Sequence, residues 1–417
     1  MYHNQVNGRF LIVNTRIFMK KSCLFLSLLA LIFNSTACKN DKQRTSHEEM
    51  GQDTENLLDM RYKMLLKYPV DSIGFPRSYR YKSKEVHKVP SKDWTSGFFP
   101  GNLWQIYQLT GDEVFKERAA KWTSFIEKEK FNDGTHDMGF KVFCSFGEGL
   151  KVASNDKYEA VIVKSAQTLA TRFVKNVGCI RSWDFNKDIW EFPVIIDNMM
   201  NLELLFEATM ISGDSTFHKI AVSHANTTLK NHFREDNSSY HVVVYDTISG
   251  KVKDKVTHQG LNADSAWARG QAWGIYGFTM AYRYTGDNQY LNQAKSSLNF
   301  YLSHQNLRED GIPYWDFNDP NIPHAVRDVS AASIVASACY ELSKYDSDKV
   351  YEQYADKVLS TLMSEEYILG PDIDAPFILM HSTGNWPNNN EMDEPIVYSD
   401  YYFLEALQRK KVFETSL

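Results

Sequence analysis

The chain is predicted to be all-α, a series of helical hairpins closed into a toroid, with minor β-structure in its loops. Three observations predict this. From Asn56 onward the apolar residues recur at helical spacing. A short motif also recurs, in which a Gly ends one helix, an Asp caps the next, and an aromatic and an Ala follow on one face. Finally, the aromatic and polar residues gather in segments between helices, where loops at one mouth of a toroid would build a pocket.

Composition narrows the function classes. With 417 residues, 43% hydrophobic and 14% aromatic, the chain buries a large core as one large helical domain or two smaller ones. A net charge of −6 and the lack of a lysine or arginine stripe exclude a broad electrostatic grip on nucleic acid. Nine Trp, 23 Tyr and 25 Phe exceed the needs of a core, and flat aromatic faces suit sugar rings. Cys23 and Cys38 lie in the leader, and Cys144, Cys179 and Cys339 are too sparse for a disulfide framework or metal cluster. There is no HExxH, CxxC or EF-hand loop, so neither a protein-held metal nor a cofactor is expected.

Taken in order, the chain starts with a leader. From Met19, the expected initiator, MKKSCLFLSLLALIFNSTAC has a basic front, an apolar run too short to span a bilayer, and a small-residue end. Ser35-Thr36-Ala37-Cys38 resembles a bacterial lipoprotein cleavage box with Cys38 as the lipidated residue, although Ser35 stands where Leu is usual. Residues 1–38 are therefore expected to be a signal segment, and the protein to be exported to the periplasm or outer membrane as a lipoprotein. A simple secretory signal is the alternative. Residues 39–55 are polar and charged and read as a flexible tether, with the helical domain spanning 56–417.

Within that domain Thr110-Gly111-Asp112 leads to Phe115 and Ala119, Ser212-Gly213-Asp214 to Phe217 and Ala221, and Thr285-Gly286-Asp287 to Tyr290 and Ala294. Asp346-Ser347-Asp348, with Tyr351 and Ala355, is a weaker fourth copy. The copies are unevenly spaced, so hairpins with other turns are expected between them. Segments 91–104, 132–140, 314–321 and 381–390 are the expected mouth loops. Residues 240–246 alternate before the turn-like Ser249-Gly250 and are predicted as strand.

Two carboxylates are the candidate catalysts. Asp197 heads an apolar helical run from Asn198 to Leu205, with Trp183 upstream, and Asp137 lies in Gly134-Thr135-His136-Asp137-Met138-Gly139-Phe140. Acid–base work on a glycan needs one group to give or take a proton and another to hold charge or orient water. The competing reading of Asp197 is a plain helix cap. Arg269 and Trp273, four apart, would share a helix face and set a fixed cation beside an indole, suited to a sugar carboxylate. A buried structural arginine packed on tryptophan is the alternative. Trp94 either lines a pocket or plugs the domain edge, and His136 and His241 sit near the acid motif and the alternating segment.

Together DWTSGFFPG, THDMGF, IIDNMMNLELL, THQG, SAWARGQAWGIYGF, PHAVRDVSAASIVASACYEL and EPIVYSDYYFLEAL, running from Trp94 to Leu407, resemble in order the pattern of the unsaturated glucuronyl hydrolases, glycoside hydrolase family 88. The resemblance implies an (α/α)6 barrel and a metal-free, cofactor-free reaction on oligosaccharides left by polysaccharide lyases, which carry a 4,5-unsaturated uronic acid at the non-reducing end. In that chemistry an acid protonates C4 of the enol ether, water adds at C5, and the resulting hemiketal opens. It also implies Asp197 as general acid/base and Asp137 as the second essential aspartate. His136, His241, Gln259, Arg269 and Trp273 are then substrate-contacting positions, flanked by Trp94 and Trp183. At Asp197 the helix dipole would favour the ionised form, while the charge of Asp137 would oppose a second one.

One departure concerns the substrate. Family members acting on sulfated glycosaminoglycan fragments use hydroxyl and basic side chains in a late loop, and here residues 381–390, HSTGNWPNNN, hold no Lys or Arg. An unsulfated unit, or one sulfated other than at the 6-position, fits this loop at least as well. Two other functions stay open: hydrolysis of an unsaturated galacturonyl unit from pectin or of a saturated uronoside, and a non-catalytic glycan-binding lipoprotein. No protein partner is inferred.

Overall fold

Helix formation follows the recurrent turn closely. The computed structural model describes residues 55–415. The expected signal segment with Cys38, and the tether up to residue 54, lie outside the described residues. After helix α1 (residues 55–67) come two antiparallel strands, β1 (Phe75–Arg80) and β2 (Glu85–Val89), in a region where only helix was expected. Their charged, exposed residues hide the alternation, and burial at Phe75 and Tyr79 is what fixes β1 against the core.

Helix α2 (Phe98–Thr110) ends at Gly111, whose φ of 76° is the left-handed conformation that glycine tolerates. Asp112 then caps α3 (Glu113–Ser124) by accepting from the Val114 amide. A 3-10 turn (Glu127–Phe131) and a π-helix (Gly139–Gly147) follow, then α4 (Glu148–Val152) and α5 (Asp156–Ala170). Strands β3 (Phe173–Val174) and β4 (Cys179–Ile180) pair antiparallel, and β5 (Pro193–Ile195) leads into α6 (Asn198–Ser212). Gly213 and Asp214 join α6 to α7 (Ser215–Asn231) as Gly111 and Asp112 join α2 to α3.

The expected strand is present as β6 (Val242–Tyr245), which pairs with β5 on one side and with β7 (Val252–Val256) on the other. The same turn device joins α8 (Ala268–Thr285) to α9 (Asn288–Ser303) through Gly286 and Asp287. Between α10 (Val329–Leu342) and α11 (Val350–Leu362) the glycine is missing, but Asp348 still accepts from the Val350 amide at 3.0 Å. Helix α12 (Val397–Thr415) closes the described chain. All eight motif aromatics and alanines, from Phe115 to Ala355, are buried.

The helices fall into two kinds, and their sequences say why. Every residue of α10 is buried, as are the first ten of α12, so these helices are enclosed on all sides. Ser and Ala at half the positions of α10 let its neighbours approach closely. By contrast α3, α7, α9 and α11 each bury one stripe and leave a polar face outward. The enclosed elements pack in succession: α2 on the π-helix, the π-helix on α6, α6 on α8, α8 on α10 and α10 on α12, while α12 also packs on α2. Each striped helix lies against its own hairpin partner.

Candidate active site

The segments preceding the enclosed helices converge on one cavity of about 550 Å³. Of the expected site residues, Trp94, His136, Asp137, Trp183, Asp197 and Gln259 line it. Arg77, Thr135, Phe140, Phe185, His258 and Asn385 join them. A second cavity of about 530 Å³ lies at the other ends of these helices, but Arg283, Glu341, Glu405 and Arg409 there are engaged with one another.

Asp197 occupies the N-cap position of α6, yet its side chain makes no capping hydrogen bond. The plain-cap reading is thereby excluded. Its carboxylate is almost fully buried, and Oδ2 accepts no hydrogen bond. Burial pushes the Asp197 carboxyl up to about 7; His136 and Arg269 oppose the rise and the charge of Asp137 adds to it. The helix dipole was expected to favour the anion here, but desolvation outweighs it.

Asp137 stands opposite in character. Burial raises its carboxyl as well, but His136, Thr135 and Lys141 together hold it below the usual carboxylate range. His136 Nε2 is 3.1 Å from Oδ1, and Thr135 Oγ1 donates to Oδ2 at 2.6 Å. Two glycines permit this placement. A methyl group on Gly139 would lie 2.7 Å from the Cα of Asn201, one turn into α6, so the acid loop reaches α6 only with glycine there. One on Gly97 would collide with the carbonyl oxygens of Phe140 and Lys141.

The β5–β6 register sets His241 beside Asp197, since the Ile196 amide donates to the His241 carbonyl at 3.0 Å. His241 is buried, and that burial lowers its basicity far below the ordinary value. Its Nδ1 accepts from the amides of His258 and Gln259 at 3.1 and 3.0 Å, so the ring proton resides on Nε2. That nitrogen is 3.7 Å from Asp197 Oδ2. His241 thus backs the acid rather than lining the cavity.

Trp94 packs on Phe98, Phe140 and Tyr398 with the Arg77 guanidinium 5.8 Å from its ring. Trp183 stacks on Phe185 with centroids 5.0 Å apart and planes 10° from parallel, and Phe185 is half exposed.

Arg269 and Trp273 are placed differently from expectation. Both are buried behind the cavity. The Arg269 guanidinium lies 4.6 Å from Trp267, not on Trp273, which packs against Phe140 and Tyr402. Arg269 Nη1 donates to Asp328 at 2.8 Å and to the Thr383 carbonyl, and Nη2 donates to the Gly384 carbonyl at 2.6 Å. Four residues along a helix give a shared side, but the loop 381–394 decides which atoms the arginine meets. Gln259 Nε2 also donates to Gly384 O at 3.2 Å, and the next residue, Asn385, faces the cavity. Of the four expected mouth loops, 314–321 contributes indirectly, with Trp315 stacked on Trp386 at 4.7 Å.

Arg77, Lys141, His258, Phe185 and Asn385 were not among the expected site residues. Arg77 lies on the unforeseen hairpin, and no sequence spacing signals it. Thr135, two before Asp137, could have been found as a side chain able to bond that acid. Among the described residues no cluster of three or more His, Cys, Asp and Glu could hold a metal ion.

Residues 75–366 match Glycosyl Hydrolase Family 88. The chain is 58% identical to an unsaturated glucuronyl hydrolase of Formosa agariphila, over 94% of this chain and 99% of that protein. It is 30% identical to an unsaturated chondroitin disaccharide hydrolase of Streptococcus pneumoniae, over 87% and 92% of the two chains. A crystal structure of an unsaturated glucuronyl hydrolase specific for heparin superposes with a TM-score of 0.84 at 42% identity, covering 88% of this chain and 98% of that one.

Proposed function

The chain belongs to glycosyl hydrolase family 88, and we propose that Asp197 is its proton donor and Asp137 the fixed negative charge beside it. The protein is an unsaturated glucuronyl hydrolase acting on unsaturated oligosaccharides derived from glycosaminoglycans. The observation that carries the assignment of roles is the contrast between two carboxylates in one cavity: Asp197 Oδ2 is buried without a hydrogen bond, which pushes that carboxyl up, whereas His136 and Thr135 hold Asp137, which lowers it. Pairs of acids whose surroundings push them apart are how one site holds a donor and an anion at the same pH.

In the proposed reaction the protonated Asp197 transfers its proton to C4 of the 4,5-unsaturated uronic acid. Positive charge develops at C5, and the anionic Asp137 stabilises it. Water adds at C5 and returns a proton to the Asp197 carboxylate, restoring the acid. The hemiketal so formed opens, and the glycosidic link is released. His241 Nε2–H, 3.7 Å from Asp197 Oδ2, would favour the carboxylate that exists between the two proton transfers. Trp94 and the Trp183–Phe185 pair would flank the sugar rings, with Gln259 and His136 at hydrogen-bonding reach of hydroxyls. Arg269 would act by holding Gly384 and Asn385 at the cavity edge.

The enclosed helices, each packed on the next and α12 returning to α2, support an (α/α)6 toroid with this cavity at one mouth. An unsulfated sugar, or one without a 6-sulfate, fits a cavity whose lining arginine, Arg77, already carries Glu391 on one side and Asp93 on the other. Residues 19–38 support export and lipid attachment at Cys38.

The test follows the ultraviolet absorbance of the conjugated double bond in unsaturated chondroitin, hyaluronan and heparin disaccharides, with chelator present. Wild-type enzyme should consume the absorbance, and Asp197→Asn should lose at least about a thousandfold in kcat with its fold intact. Equal rates for mutant and wild type would end the proposed role of Asp197.

A further inference from the structure

Arg77 lines the cavity, yet both sides of its guanidinium are occupied by carboxylates. In the β1–β2 register Pro76 pairs with Lys88 and Ser78 with His87, so Arg77 is the extra residue of a β-bulge. A bulge re-aims the side chain it carries, and bulges gather next to active sites for that reason. Here Nε and Nη2 donate to Glu391 Oε1 and Oε2 at 2.7 and 2.8 Å, and Nη1 donates to Asp93 Oδ1 and Oδ2 at 3.2 and 3.1 Å. The planar fork of a guanidinium suits two such pairs at once, which an ammonium cannot make.

Each carboxylate continues the connection to the cavity wall. Asp93 Oδ1 also accepts from the Thr95 amide at 2.9 Å and from Thr95 Oγ1 at 2.7 Å, which closes the turn that carries Trp94. Glu391 has a fully buried side chain and a φ of 55°, a left-handed backbone that a non-glycine residue keeps only where its contacts hold it. The Gly384 amide donates to the Glu391 carbonyl at 2.7 Å, and a methyl group on Gly384 would lie 2.6 Å from Glu391 Oε2. The clamped carboxylate therefore lies directly against Gly384. The next residue is Asn385, whose Oδ1 is buried and accepts no hydrogen bond. Trp94 and Asn385 both line the cavity, and Arg77 ties the turn of one to the loop of the other.

We propose that Arg77 is a positioning residue for substrate binding: its guanidinium, forked between Asp93 and Glu391, holds Trp94 and Asn385 in fixed places on the cavity wall and so sets the affinity for the oligosaccharide. The inference rests on the reading of this cavity as the glycan site. It gives Arg77 no part in the chemistry of Asp197 and Asp137. An interaction equally strong in the ground state and the transition state changes KM and leaves kcat alone, and that split identifies the role.

The experiment measures kcat and KM separately for Arg77→Lys and Arg77→Gln, using the unsaturated disaccharide that wild type consumes fastest. Both variants should raise KM about tenfold, with kcat within about twofold of wild type. Lysine keeps the charge but not the fork, so a wild-type KM in Arg77→Lys would reduce Arg77 to a charge and overturn the clamp. A lower melting temperature with KM unchanged in both variants is the signature of a structural arginine and overturns it as well, as does a fall in kcat at unchanged KM. Should Arg77→Gln fail to fold because Glu391 is left buried without its partner, Arg77→Gln combined with Glu391→Gln removes both charges, and KM must still rise. A wild type that consumes none of the disaccharides ends the glycan reading and the clamp with it, whereas an active wild type with unmoved KM in the variants ends the clamp alone.

Discussion

An aspartate at a helix N-terminus ordinarily caps free amides and is stabilised there as an anion. Asp197 keeps the position but not the bond, because its carboxylate turns into the cavity beside His241. Desolvation then governs, and burial pushes the carboxyl up to about 7. The consequence for catalysis has a definite sign. A donor must carry its proton and Asp137 must stay anionic, so kcat/KM should be full from the usual carboxylate range up to about that pH and fall about tenfold per unit above it. A profile of kcat/KM that stays flat to pH 9 would remove Asp197 from the donor role. At this scale the sequence disclosed the two acids through their motifs. It did not disclose which one holds the proton, because that depends on burial and on Thr135, His136 and Lys141 acting together in space.

Elements explain why the acids meet. The π-helix begins two residues after Asp137 and packs on α6 through Gly139, while the β5–β6 register brings His241 beside Asp197. The loop 381–394 depends on a different anchor, Arg269, which joins it to Asp328. Removing Arg269 leaves Asp328 buried without its partner, a loss of about 3–5 kcal/mol for pairs of this kind. Arg269→Ala should therefore lower the melting temperature and also raise KM, since Gly384 and Asn385 lose their fixed place at the cavity edge. Measured KM equal to wild type, with stability alone reduced, would make Arg269 a structural residue only. The Arg269–Trp273 pair illustrates the limit of spacing arguments. Helical periodicity gives the side on which a residue lies, whereas the partners of Arg269 come from chain 59 to 115 residues away.

For the molecule as a whole, the described residues contain no helix long and apolar enough to cross a membrane, and the cavity is built entirely from residues between Arg77 and Asn385. Membrane attachment, if Cys38 provides it, is thus separable from catalysis. Cys38→Ala, expressed from Met19 in a bacterium that processes lipoproteins, should shift activity from the membrane to the soluble fraction with kcat unchanged. Retention of the activity in the membrane fraction would refute anchoring through Cys38. The sequence by itself determined the helical hairpins, because Gly-Asp turns and the aromatic and Ala that follow act within a few residues of one another. It also determined the family, through motifs spread from Trp94 to Leu407, and with it the two candidate acids. Tertiary structure alone decided that α10 is enclosed while α9 is not, that a hairpin supplies Arg77, and that His241 lies beside Asp197. These depend on which segments desolvate one another, and desolvation is a property of the packed chain that no local pattern encodes.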